Sequence, residues 1–287
     1  MTASLAYLGP KGTYSEMAAL TYATWLQHKR GESISLQAYP SISQALQATA
    51  SGATTFTITP VENSIEGSVT VTLDTLWQLD ILRIQHALVL PIAHALISKA
   101  ASLETIEVVY SHPQALAQCQ QWTEKHIPQA KVIPANSTTE ALLQLGDQPN
   151  SAAISSERAA ELYNLPILAR TINDYADNCT KFWILGLTPN LHGEHTSLAF
   201  SLPVNAPGAL LRPLEIFANY AINLSRIESR PTKRSLGDYL FFVDLEAGAE
   251  NQATQSALSE LTHCTEDLKT FGSYDFLPTS LVTSENG

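Results

Sequence analysis

The sequence is poor in charge and poorest in positive charge. Charged residues make up 15% of its 287 positions, and 16 lysines and arginines face 27 acids, for a formal net charge of −11. No basic stripe runs through it, which sets nucleic acid aside as a partner. Cysteine is scarce as well. Cys119, Cys179 and Cys264 are odd in number, far apart and without a CxxC pair, so neither a disulfide framework nor a zinc site is expected, and a reducing compartment fits. Long apolar runs are missing. The most apolar stretch, Ile81 to Ile97, contains Arg83, His86 and His94 and is too short and polar to span a bilayer. The opening "MTASLAYLGPKGTYSE" has no basic region leading into an apolar signal core, so the expectation is a soluble cytoplasmic protein that meets no membrane. Neither GxGxxG nor the phosphate-binding P-loop pattern occurs at the first turn, so no nucleotide is implied.

What is present is a globular composition, 45% hydrophobic, on a chain long enough for two or three domains. "SLAYLG", "SISLQAY" and "TTFTITP" read as strands, and helices separate them. Ser41 with Gln44 three residues on is a capping-box start. This strand–helix rhythm is that of an α/β sheet with parallel pairs. After "VENSIEG" a helix to Leu79 and a long β stretch from Ile81 to Ile97 are expected. A second βα series follows, with one helix from Pro113 to Lys125, a capping box at Ser137 and Glu140, and a closing strand near Lys181. "LTPNLHGEH" reads as a linker. Beyond it the order is βαββαβ, a ferredoxin-like unit, followed by the aperiodic tail "PTSLVTSENG".

Polar residues gather at strand-to-helix junctions, where α/β folds bind ligands. "GPKGTYSE" offers either an anion cradle at a helix start or a capped tight turn. "PVENSIEGS" places Glu62, Asn63 and Ser64 in a row, denser than a plain turn requires. Ser111 with His112, and Ser155 with Ser156, sit at two further junctions where helix capping is the simpler role. "HGEH" lacks the further ligands that a metal site needs. "NCTKFW", Asn178 to Trp183, sets an amide, a hydroxyl, a cation and two rings at the start of an apolar strand. Taken singly, Thr180 is an ordinary β residue and Lys181 a surface charge.

Together, and in this order, these segments resemble the prephenate dehydratase family with a C-terminal ACT regulatory domain. The residues that carry the likeness are "GPKGTYSE", "PVENSIEGSV", "NCTKFW" where the family has Asn-x-Thr-Arg-Phe, Gly208 to Leu210, and Glu228 to Pro231. The resemblance covers nearly the whole chain. It implies a two-lobed catalytic region like a type II periplasmic binding protein over residues 1–187, with the second lobe at roughly 80–165. An ACT domain is expected over 195–278. It implies a homodimer or homotetramer, no cofactor and no metal.

By the same resemblance the substrate is prephenate and Thr180 is the catalytic residue, its hydroxyl serving the departing ring oxygen. Thr13, Ser15, Asn63, Ser64, Ser111, Gln114, Ser155, Lys181 and Phe182 are then expected at the substrate. Lysine at 181 departs from the family's arginine; the leading expectation is that it anchors a carboxylate as a point charge rather than a fork, and the other is that the position tunes the loop without touching substrate. The ACT likeness implies L-phenylalanine as effector, held by Asn205, Gly208, Ala209, Leu210, Glu228, Ser229, Arg230 and Pro231, with a purely structural ion pair as the other role open to Arg230. Arogenate dehydratase, with the same fold and chemistry, stays open as an alternative. So does a non-catalytic amino-acid sensor.

Overall fold

Strands alternating with helices fold into three sheets. The structure, a computed structural model, describes residues 3–146 and 148–278. The chain opens with β1 (Ala3–Leu8), α1 (Tyr14–Arg30), β2 (Ile34–Tyr39), α2 (Ile42–Ala50) and β3 (Phe56–Asn63). The hydroxyls of Thr13 and Ser41 accept from the N–H groups of Glu16 and Gln44 and so start α1 and α2, satisfying donors the helices cannot pair internally. β4 (Gly67–Ser68) folds back on β3, and α3 (Thr70–Gln78) leads to β5 (Arg83–Pro91).

The second lobe holds β6 (His94–Ser98), β7 (Val108–Ser111), α4 (Pro113–Ala117), α5 (Gln120–His126), β8 (Lys131–Pro134), α6 (Thr138–Leu143), β9 (Ser151–Ser156), α7 (Glu157–Leu162) and β10 (Ile167–Ala169). β11 (Cys179–Gly186) then returns to the first sheet, whose order is β2-β1-β3-β11-β5. β1 runs parallel to β2 and β3, and β11 lies antiparallel between β3 and β5. The second sheet has the order β10-β6-β9-β7-β8.

Two expectations shift. The single β stretch from Ile81 to Ile97 is two strands in two sheets, because the chain crosses between lobes after Pro91, which has no N–H for the ladder. The second lobe therefore runs from His94 to Ala169 rather than from about residue 80 to 165. The single helix from Pro113 to Lys125 is two, broken at Gln118 and Cys119. The break has a long-range cause. The carboxylate of Asp174 accepts from the N–H groups of Gln121 and Trp122 at 3.0 and 2.9 Å and starts α5 afresh.

The third unit follows as β12 (His195–Ser201), α8 (Leu211–Asn219), β13 (Leu224–Pro231), β14 (Tyr239–Leu245), α9 (Gln252–Leu261) and β15 (Leu268–Tyr274). Its strands are ordered β13-β14-β12-β15, all antiparallel, the ferredoxin-like arrangement. Val243, Leu245, Phe200 and Leu198 pack beneath the two helices. The opposite face is also covered: Leu240, Phe242, Phe271 and Tyr274 share one core with Leu46, Leu73, Leu76 and Trp183 of the first lobe. The linker lies flat on this junction. A Cβ at Gly193 would sit 2.3 Å from the Tyr274 carbonyl carbon, at a φ of +127°, so only glycine passes there. The tail from residue 279 on lies outside the described residues.

Candidate active site

A cleft of 690 Å³ opens between the two lobes. The first lobe lines it with Thr13, Tyr14, Ser15, Asn63, Thr180 and Phe182, and the second with His94, His112, Gln114, Gln118 and the start of α6 from Ser137 to Glu140. Among the described residues lining it there is no lysine or arginine. Its walls are otherwise apolar, with Leu8, Pro60, Val69, Ile92 and Leu143.

The floor is a chain of side-chain amides. The Oδ1 of Asn63 accepts from the backbone N–H groups of Ile65 and Glu66, both at 3.0 Å. These bonds fix which end of the amide is oxygen. Its Nδ2 is thereby turned to Asn178 Oδ1 at 2.8 Å, Thr180 Oγ1 at 3.0 Å and the Cys179 carbonyl at 3.1 Å. Thr180 stands opposite Asn63 in the β3–β11 ladder, so the pairing is a cross-strand contact that the sheet itself sets. A hydroxyl has one proton and two lone pairs. Accepting from Asn63 uses a lone pair of Thr180 and leaves its proton for an acceptor in the cleft.

Asn178 in turn donates to Gln118 Oε1 at 2.9 Å, and His94 Nε2 lies 3.0 Å from the same oxygen. That oxygen only accepts, so Nε2 carries the proton of His94. Burial holds the pKa of His94 below the ordinary histidine value, against the Gln118 bond, which raises it, and the ring is neutral at pH 7. Tyr14 donates to the Ala93 carbonyl at 2.7 Å and packs edge-on against His94. Glu140 brings a carboxylate to the far wall and accepts from Asn136 at 3.1 Å.

Six residues singled out from the sequence meet in this cleft: Thr13, Ser15, Asn63, Gln114, Thr180 and Phe182. The Thr13 hydroxyl is engaged as a cap, donating to the Pro10 carbonyl at 2.9 Å. The "GPKG" turn is not an open anion cradle. Gly12 donates its N–H to Glu16 at 2.7 Å, and its carbonyl accepts from Ser156 of the second lobe at 2.9 Å. Four expected residues do not line the cleft. Ser64 accepts from the Cys179 N–H at 3.0 Å and clips the β3 turn to β11. Ser111 is buried and donates to the Ile154 carbonyl at 2.6 Å. Ser155 is fully buried on β9, and its neighbour Ser156 does the capping of α7.

Lys181 is the fourth, and here the leading expectation fails. Strand alternation sends Thr180 and Phe182 to one face of β11 and Lys181 and Trp183 to the other. The Lys181 ammonium lies 2.6 Å from Asp244 Oδ2 on β14. Burial raises the pKa of Asp244, but the Arg226 and Lys181 cations outweigh it and hold the carboxyl well below the usual range.

Gln118, Asn178, His94 and Tyr14 were missed as site residues. Asn178 was visible in the hexapeptide "NCTKFW". Gln118 was hidden in what reads as an unbroken helix.

The chain matches the family model described as prephenate dehydratase over residues 5–190. It belongs to the prephenate dehydratase family. The ACT domain model matches residues 196–263. Among curated relatives, the prephenate dehydratase of Lactococcus lactis subsp. lactis is 36% identical over 278 residues, 94% of this chain and 96% of that protein. The bifunctional chorismate mutase/prephenate dehydratase of Aquifex aeolicus is 40% identical over 273 residues, 94% of this chain and 73% of that one. The crystal structure of prephenate dehydratase in complex with L-Phe from Arthrobacter aurescens superposes with a TM-score of 0.85 at 30% identity, covering 99% of this chain and 97% of that one.

In the ACT domain of this dehydratase the expected effector residues divide. Asn205 donates to the Gly237 carbonyl at 2.9 Å, and Gly208 takes a φ of +81° in the turn through Ala209 and Leu210 into α8. On β13, Glu228 and Arg230 share the sheet face with Arg226, toward the catalytic region, while Ser229 points the other way. Arg230 is not free for an effector. It holds Asp74 of α3 through two bonds of 3.1 Å, and Lys233 joins them at 2.7 Å. Pro231 ends the strand opposite Tyr239.

Proposed function

We propose that the chain converts prephenate to phenylpyruvate, carbon dioxide and water, with Thr180 at the bond that breaks. The observation that carries this reading is the Asn63–Thr180 pair. It presents a hydroxyl proton to the cleft rather than to the protein. Prephenate carries a carboxylate and a pyruvyl side chain on one ring carbon and a hydroxyl on the carbon opposite. Loss of carbon dioxide leaves its bonding electron pair in the ring. The pair moves through the ring, which becomes aromatic, and the opposite C–O bond breaks. Hydroxide is a poor leaving group, so a proton donor beside that oxygen speeds the step. Thr180 gives that hydrogen bond, and the net proton taken up makes water of the leaving group.

The rest of the cleft is read accordingly. Phe182 and the apolar walls enclose the ring and exclude water. A cleft whose described lining holds no lysine or arginine suits a carboxylate that must depart, since an adjacent cation would hold it back. Ser15 and Gln114 are the polar partners for the side-chain carboxylate. Gln118 and Asn178 hold the amide of Asn63 in place. The ACT domain binds L-phenylalanine where the loop from Asn205 to Leu210 of one protomer meets the edge strand β13 of another. The enzyme works in the cytoplasm as a homodimer or homotetramer. Exposed Val204, Leu211, Leu236 and Tyr239 on the ACT domain supply apolar area for that contact. Among the described residues no helix is long and apolar enough to cross a membrane.

The deciding experiment is a product assay of the purified protein on prephenate and, separately, on arogenate. Phenylpyruvate from prephenate is expected, with a higher kcat/KM than for arogenate. Preference for arogenate would reassign the substrate, and turnover of neither would remove the enzymatic reading.

A further inference from the structure

The residue beside Thr180 faces away from the chemistry and into a buried ionic cluster. Asp244 is 1% exposed at its side chain. It accepts from Lys181 at 2.6 Å, from Arg226 Nε and Nη2 at 2.9 and 3.2 Å, and from the Ser197 hydroxyl at 2.6 Å. Both cations also lie over the ring of Trp183, Lys181 at 5.7 Å and Arg226 at 5.4 Å. Arg226, Asp244 and Ser197 belong to three adjacent strands of the ACT sheet, whereas Lys181 and Trp183 belong to β11. The cluster thus ties the face of the regulatory sheet to the strand that carries Thr180.

From this arrangement we infer that Lys181 is a positioning residue. Through Asp244, the ACT sheet holds β11 so that the Thr180 hydroxyl meets both Asn63 and the leaving oxygen. The inference rests on the role given to Thr180 above. Two features make Lys181 a device for placing the strand rather than a chance surface pair. First, the cluster is buried: removing Asp244 would leave the Lys181 and Arg226 cations facing each other in the core, whereas removing Lys181 leaves Asp244 paired with Arg226 and takes away only the tie to β11. Second, the lever is short. Lys181 is the next residue to Thr180 on β11, and both stand in the ladder opposite the end of β3 that carries Asn63, Lys181 facing Glu62 and Thr180 facing Asn63. Misplacement of a reacting group by about 1 Å can cost on the order of 100-fold in rate.

The lysine also suits its partner. Arg226 already takes both oxygens of Asp244 with its planar fork. One further donor is wanted at Oδ2, and an ammonium supplies it from a single point, where a second guanidinium would leave most of its donors without acceptors.

The test compares wild type, Lys181→Met, Lys181→Arg, Asp244→Asn and the double variant Lys181→Met with Asp244→Asn, on prephenate. For Lys181→Met the expected result is kcat lower by about tenfold or more with KM within about twofold, the signature of lost transition-state placement. Lys181→Arg is expected to recover part of kcat. The double variant is expected to be no slower than Asp244→Asn alone, because that single already disturbs the Lys181 contact along with those to Arg226 and Ser197. A rise in KM at unchanged kcat would assign Lys181 to substrate binding. Effects that multiply in the double variant would show that Lys181 and Asp244 act separately. Either result overturns the inference. If Lys181→Met does not fold, the kcat and KM of Lys181→Arg decide alone: unchanged kcat with altered KM contradicts the proposal. Thr180→Ala is assayed alongside. Its full activity would fault the role of Thr180 and leave the Lys181–Asp244 coupling to be judged by the double variant.

Discussion

The Asn63 amide donates to the Thr180 hydroxyl at 3.0 Å across adjacent strands, and two backbone N–H groups lock the amide in that orientation. The direction of this bond matters more than its existence. Asn63→Asp keeps the size of the side chain but removes the donor, and its carboxylate competes for the Thr180 proton. A fall in kcat of about 100-fold or more is expected. Asn63→Ala, which frees Thr180 without reversing the bond, should be milder. Near-normal kcat in Asn63→Asp, read from phenylpyruvate formation, would contradict the assigned direction.

Arg230 and Lys233 of the ACT domain converge on Asp74 at the side of α3. Burial raises the pKa of Asp74, but its bonds to Arg230 and Lys233 prevail and keep it below the usual carboxylate range. α3 follows directly on the turn that carries Asn63 and Ser64. Asp74→Asn is therefore expected to weaken inhibition by phenylalanine by about fivefold or more in the half-inhibiting concentration, the scale of a typical coupling energy. The rate without phenylalanine should stay near that of the wild type. An unchanged inhibition curve would place the coupling elsewhere.

His86 on β5 packs edge-on against Trp25 at 4.8 Å, with Tyr22 alongside. Burial and then the charge of Arg30 lower its pKa from 6.5 to about 4, with Asp275 opposing. The folded protein keeps His86 neutral over a range in which the unfolded chain is already protonated. Between pH 6.5 and about 4 the unfolded state binds more protons, so stability falls as the solution is acidified through that window. His86→Gln should lose less stability than the wild type between pH 7 and pH 5, measured by urea unfolding at each pH. Equal losses would mean that other groups carry the acid sensitivity.

Local features of the fold were legible and long-range ones were not. Ser41 and Ser137 cap helices as their spacing indicated, because a cap is settled within four residues. The βαββαβ order of the ACT domain was legible for the same reason. The split of α4 from α5 was not, since it depends on Asp174, more than fifty positions away in the chain. Gln118 escaped notice with it. Lys181 shows a signal present but misweighted. Alternation along β11 already opposed Lys181 to Thr180 and Phe182, yet the attraction of a cation for an anionic substrate outweighed it. The partner that settles the matter, Asp244, lies 63 residues further on. The partner of Arg230, Asp74, likewise sits in the other domain, beyond any local reading.

The central claim is that the Thr180 hydroxyl assists departure of the ring oxygen, and paired kinetics of Thr180→Ala and Thr180→Ser on prephenate test it most directly. The account predicts that alanine lowers kcat by about 100- to 10,000-fold while serine, which restores the hydroxyl, recovers a large share of the rate. Near wild-type turnover in the alanine variant, with serine no better, would contradict it.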